Sequence, residues 1–177
     1  KRDIVNAISD KLEATILGSA AGSATMPAGI FNGVTAETKD ITYKRLVDME
    51  TALEEANVAG NKCFIVSPSA KGILKTTAKD AIYNVTDGGV HTCVGCAGCL
   101  MEENEVNGYP VYCTSNVTSK GVVMGHFEDF VIGQWGGIDL TVDPYTQAAN
   151  GKVRLVINAY FDAKPRRTGS FQKAILK

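Results

Sequence analysis

The run Cys63-Phe64-Ile65-Val66 places four apolar side chains in a row with no charge among them. A strand with one wet face alternates polar and apolar residues, so a short continuous run suits a strand covered on both faces. Ser67-Pro68 follows at once, a helix cap with proline at the first helical position, and predicts a helix through about Lys75. Upstream, Thr42 opens a helix with Leu46, Met49, Leu53 and Ala56 on one face. Glu50, Glu54 and Glu55 fall mostly on the other, and Gly60 is placed to close it. Helix, doubly covered strand and helix in quick succession point to a mixed α/β layer.

Before this unit, Ile4, Ile8, Leu12 and Ile16 recur every fourth residue, an amphipathic helix with Asp3 near its start and Gly18 at its end. Residues 18–40 are rich in Gly, Ala, Ser and Thr without clear periodicity, and read as an ordered or semi-ordered surface loop. A loop that long in a compact domain is usually functional or mobile. The remainder reads as β. Asn107-Gly108 signals a tight turn into a strand over 109–113. Further strands are expected at 122–127, 130–134, 138–142, 153–161 and 171–176. The alternation in 138–142 and 153–161 predicts a long two-stranded arm.

Of 177 residues, 18 are basic and 19 acidic, for a net charge of -1, which argues against a strongly basic surface that grips nucleic acid by its phosphates. A hydrophobic share of 45% is ample for a packed core, so wholesale disorder is not expected. No apolar run approaches the roughly 20 residues of a membrane helix. The first residue is Lys1 rather than Met, from which we expect further chain upstream. Five cysteines, an odd number without an export signal, argue for reduced thiols in a cytosolic setting rather than a disulfide scaffold.

The sharpest local motif is Cys93-x-x-Cys96-x-x-Cys99, with His91 before it and Cys113 after it. Gly95 and Gly98 permit the tight turns that converge thiolates on one metal, so Cys93, Cys96 and Cys99 with Cys113 or His91 would suit Zn. An iron–sulfur cluster fits less well, because Leu100 stands where bacterial ferredoxin motifs often carry proline. The other reading is a hairpin tip whose cysteines are small apolar side chains. Elsewhere the sequence offers no catalytic set. Residues 18–33 lack the Gly-Lys-Ser/Thr ending of a phosphate loop, and Ser67, Ser69 and Ser170 lack a nucleophile-elbow context. His126 reads as a packing residue with a satisfied hydrogen bond, Glu102, Glu103 and Glu105 as a solvated face. Lys164, Arg166 and Arg167 read as exposed charges or a subunit contact, and Trp135 as a core or interface anchor. Much shape without chemistry suits an assembly role.

Several stretches in order resemble the C-terminal part of tailed-phage major capsid proteins with the Hong Kong 97-type fold. Residues 14–19 through Met26-Pro27-Ala28-Gly29-Ile30 are similar to the family's helix end and following loop, and 41–49 to its next helix. Cys63 to Ser69 with Ile73-Leu74 resembles its buried strand and helix, and Asn107-Gly108-Tyr109-Pro110-Val111 its Gly-x-Pro-Val strand. Residues 122–132 are similar to its Gly-Asp-Phe turn with both flanking strands.

The resemblance implies an α+β chain of two lobes. The axial lobe is a mixed sheet with flanking helices, residues 41–132 and 162–177. The peripheral lobe is a helix and long β arm, residues 1–40 and 133–161. The family's N-terminal arm, extended loop and most of its spine helix are not expected within this chain. It implies a structural protein of a phage or prophage virion and no enzyme, cofactor or membrane partner. Copies of itself would form pentamers and hexamers of a shell around DNA, with scaffold, portal and packaged DNA as further partners. Assembly would take place in the bacterial host cytoplasm, and this portion alone would be weakly self-associating or monomeric in dilute solution. The fold also builds encapsulin compartments. The family's Lys–Asn crosslink is not implied, since nothing around Asn150 and Asp162 matches its Asn and Glu. Residues 93–99 fall in the axial lobe's variable hairpin, which favours the apolar reading of the cysteines over a Zn domain. Metal analysis of the reduced protein separates the two: stoichiometric Zn on one reading, none on the other.

Overall fold

The computed structural model describes residues 2–79 and 98–177. Its elements are α1 (Arg2–Ile16), α2 (Tyr43–Glu55), β1 (Cys63–Val66), α3 (Pro68–Thr76), β2 (Glu105–Val106), β3 (Tyr109–Cys113) and β4 (Gly121–Gly125). Then come β5 (Phe130–Asp143), β6 (Arg154–Pro165) and β7 (Phe171–Ile175). Five strands form one sheet in the order β2-β3-β1-β4-β7, while β5 and β6 pair only with each other. Within the larger sheet β1 runs parallel to β3, and the other pairings are antiparallel.

The helix caps are those expected. Thr42 accepts from the Arg45 backbone N–H and Ser67 from that of Ala70, which satisfies donors that a helix start leaves free. The end of α2 is different: the helix stops at Glu55, well before Gly60. Asn57 turns left-handed (φ 52°), its N–H donates to Glu54 O, and Val58 N–H donates back to Leu53 O. This is a helix stop with Asn in the usual glycine position, and it drops Val58 into the core beside Leu53. Ala56, on the expected apolar face, is exposed.

The sheet is covered on both sides. On one, Leu46, Met49 and Leu53 of α2 and Leu74 of α3 pack on Phe64, Val66, Val122 and Met124. On the other, Ile16 and Leu17 at the end of α1 meet Ile30, Phe31, Val117, Val123 and Phe171. The double coverage read from the β1 run is observed: Phe64 and Val66 enter the first core and Ile65 packs against the second.

The segment 18–40 contributes more than a surface loop would. It folds back so that Ile30 N–H donates to Ile16 O and Phe31 N–H to Gly18 O, seating the Phe31 ring with no exposed surface. Gly29 allows this approach, since a Cβ there would lie 2.1 Å from Gly18 O. Lys173 of β7 ties the same loop by donating to Ile30 O at 2.7 Å.

Two strand expectations need correction. The strand expected over 122–127 stops at Gly125, because a single helical turn at Phe127–Asp129 follows. The strands expected at 130–134 and 138–142 are one strand, β5, with an irregular register between Trp135 and Asp139 where Gly136-Gly137 bulges instead of breaking the ladder. Its partner β6 runs on to Pro165, past the expected end.

Replacing Phe31 with Ala is expected to cost about 3–5 kcal/mol, as for Phe64→Ala, by the cavity each leaves. Tyr145→Ala, at an 86% exposed position, should stay within about 0.5 kcal/mol. Urea denaturation of the three variants measures both.

Candidate interaction surface

The residues singled out for chemistry do not converge. Cys93, Cys96 and His91 lie outside the described residues. Cys99 is half-buried where Ala78 pairs with it, and Cys113 is exposed at the end of β3. Among the described residues no group of three or more His, Cys, Asp or Glu side chains is placed to hold a metal ion. Burial pushes the Cys63 thiol up, which keeps it protonated. The His126 ring packs over Gly60, with Nδ1 2.8 Å from the Asn61 carbonyl oxygen and Nε2 3.6 Å from Glu128. Ser67 is spent on its helix cap, and Ser170 donates to Asp129. Glu102, Glu103 and Glu105 are solvated, as expected.

What the structure does present is the β5–β6 arm. Directly paired residues share a face of a ribbon and successive ones alternate. The register puts Phe130, Ile132, Leu140 and Val142 on one face with Ala163, Phe161, Ile157 and Leu155, an almost wholly apolar set. The opposite face mixes Val131, Trp135 and Tyr160 with Asp139, Asp143, Arg154, Asp162 and Lys164. Trp135 is 60% exposed there, so it is no core anchor.

The apolar face is only partly screened by the body. Across a cleft of about 590 Å³, Ile8 and Leu12 of α1 and Met26-Pro27 of the loop face Ile157, Ala159 and Phe161. Nearer the sheet, Leu12 and Ile16 line a second cleft with Phe130 and Ile132. Ile132, Ile138, Leu140, Val142 and Leu155 each keep half or more of their surface exposed. A contiguous apolar patch of this kind marks a surface that meets another surface. A two-stranded ribbon is also marginal alone in water, so contacts along its length would strengthen it.

The arm leaves the body at a fixed root. Phe171 holds Phe127 and Phe130 edge-on, with ring centroids 5.3 and 5.9 Å away. Asp129 accepts from the Ser170 hydroxyl at 2.6 Å, and its carbonyl accepts from Arg166 N–H at 2.7 Å. The Ser170 hydrogen bond, then Arg167, His126 and Arg166 nearby, hold the Asp129 carboxyl below its usual range. Lys164, Arg166 and Arg167 are exposed around this root, on the arm and just beyond it.

The arm's long apolar face escaped sequence reasoning because Gly136-Gly137 looked like a break. The alternation resumes in phase on the far side, and that was the available signal. The burial of Ile30-Phe31 had no comparable signal.

The phage capsid family model matches residues 1–175. A major capsid protein of Halomonas phage phiHAP-1 is 31% identical over 133 residues, which cover 75% of this chain and 20% of that protein. Among solved structures, Gordonia phage Cozz gives a TM-score of 0.64 at 16% identity, over 99% of this chain and 62% of the other. The capsid of an empty GTA particle gives 0.62 at 17% identity, over 98% of this chain and 64% of the other. The chain thus spans a fifth of the curated relative and less than two thirds of these structural neighbours. The structural likeness is one of fold.

The arm root carries a pH signature. A carboxyl held low in the folded state stabilises it fully above the unfolded value near 3.8 and loses that contribution as pH falls through the lower folded value. Asp129→Asn is expected to flatten the acid limb of the stability curve below about pH 4. Denaturation midpoints of both proteins across that limb measure it.

Proposed function

This chain belongs to the phage capsid family, and we propose that it is the shell-forming core of the major capsid protein of a tailed phage or prophage. The observation that carries this is the arm's exposed apolar face, on which Leu140, Val142 and Leu155 keep half or more of their surface in contact with solvent, the kind of patch that marks an interaction surface. Copies of the chain would tile into pentamers and hexamers of a closed shell around DNA, with scaffold and portal proteins as further partners. The near-neutral charge suits a lining that encloses DNA without gripping it. The family is structural rather than an enzyme class. Its place would be the virion, after assembly in the bacterial host cytoplasm. Among the described residues, no helix is long and apolar enough to cross a membrane.

The division of labour would follow two lobes. Residues 41–132 with 162–177 form the axial lobe around the five-stranded sheet, and residues 1–40 with 133–161 form the peripheral lobe that carries the arm. Contacts made by the arm would then hold neighbours together while the sheet keeps each subunit rigid.

Electron microscopy of the full-length gene product tests the reading, with rings, shells or tubes expected. Leu140→Asp with Val142→Asp should abolish them while leaving the subunit's melting temperature nearly unchanged. Each of these side chains is worth about 1.5–3 kcal/mol when fully buried, and a charge in its place is costly to desolvate. Failure of the intact protein to assemble under any condition, or normal assembly of the double variant, would overturn the proposal.

A further inference from the structure

Asparagine followed by glycine readily loses its side-chain amide, because no side chain shields the glycine nitrogen from the neighbouring carboxamide carbon. The chain has three such pairs, Asn32-Gly33, Asn107-Gly108 and Asn150-Gly151. The reaction needs a carboxamide free to swing and a glycine N–H that is not already donating, so that the two reacting atoms can meet. The fold withholds one or the other at two of the pairs. Asn107 Nδ2 donates to Glu50 Oε2 at 3.3 Å and its Oδ1 is buried, so that carboxamide is held. Gly151 N–H already donates to Ala148 O at 3.0 Å. Asn32 has neither restraint: among the described residues its carboxamide has no hydrogen-bond partner, and the Gly33 N–H donates to no backbone carbonyl. Both Asn32 and Gly33 are exposed.

We propose that Asn32 is a site of spontaneous deamidation, and that its isoaspartyl product loosens the seat of Phe31. Gly33 N attacks Asn32 Cγ, the new C–N bond closes a succinimide ring, and the side-chain nitrogen leaves as ammonia with the proton that Gly33 gives up. Water then opens the ring. Cleavage at Cγ gives aspartate, and cleavage at the main-chain carbonyl gives isoaspartate, whose backbone runs through the former side chain and is one carbon longer. The surrounding segment has no slack for that carbon. Phe31 is fully buried, and Val34 packs on the same core while its N–H donates to Phe31 O at 3.1 Å across a turn in which Gly33 is left-handed (φ 73°). Just beyond, Ala36 pairs with Ile175 and Glu37 N–H donates to Ile175 O at 2.8 Å. The altered link is thus pinned on both sides, and lengthening it displaces Phe31 or breaks the pairing with β7.

Peptide mapping by mass spectrometry, on protein held in warm and mildly alkaline buffer, tests the site, with the same incubation in urea as the reference. In the folded protein Asn32 should convert about fivefold faster than Asn150 and at least about tenfold faster than Asn107, since those pairs must first break a neutral hydrogen bond and one to a carboxylate, respectively. In urea the three rates should converge, and in the folded protein Glu50→Ala should raise the Asn107 rate alone. Conversion at Asn32 no faster than at the other two overturns the site. Urea midpoints then test the consequence. Aged wild type should unfold at lower urea than fresh protein. Aged Asn32→Gln, which cyclises far more slowly, and fresh Asn32→Asp, which carries the new charge on an ordinary backbone, should both match fresh wild type. No fall in the aged wild type, an equal fall in aged Asn32→Gln, or an equal fall in fresh Asn32→Asp overturns the link to Phe31.

Discussion

The inner strand β4, held between β1 and β7, is buried along all five residues, and the rest of the structure is arranged by that fact. Val122 and Met124 point into the core under α2 and α3, while Val123 points into the core under α1. A strand with no wet face needs a cover on each side, because exposed apolar area is unfavourable at about 25 cal/mol per Å². Two helices supply one cover. The end of α1, the 18–40 loop and the Phe171 cluster supply the other. At Gly125 the chain passes so close to its neighbour that a Cβ would sit 2.5 Å from both Phe171 Cδ1 and Ser170 O.

That close passage couples the sheet to the arm. Phe171 and Ser170 begin the last strand, and they also clasp Phe127, Phe130 and Asp129, where β5 departs. The direction of the arm is thus set by the second core rather than by the ribbon itself. A rigid body carrying a marginal ribbon with a bare apolar face is a sensible division for a subunit of the capsid family. The body is held by its two cores, and contacts along the ribbon would strengthen it.

Much of this was legible in the residues. The caps at Thr42 and Ser67, the buried run at 63–66 and the Asn107-Gly108 turn are local signals, since each satisfies its own backbone within a few positions. Both residues of that turn take positive φ, as a two-residue hairpin favours. The similarity of residues 122–132 to a capsid turn was equally readable, and it placed the fold. The misreadings came where local grammar had two solutions. Asn57 ended α2 before Gly60, because Val58 beside Leu53 closes the core sooner. Gly136-Gly137 bulged rather than broke, because the partner strand continued past it.

What the sequence by itself determined was which elements form and which of their faces are apolar, since caps, periodicity and turn chemistry act over neighbouring residues. What only the tertiary structure decided was which of those faces find a cover. Ile30 and Phe31 carry no periodic signal and are buried by a loop folding back on α1. Leu140, Val142 and Leu155 alternate as well as any core strand and stay at least half exposed. Burial depends on contacts between residues far apart in the chain, and that is why the exposed apolar face emerged only once the chain was folded.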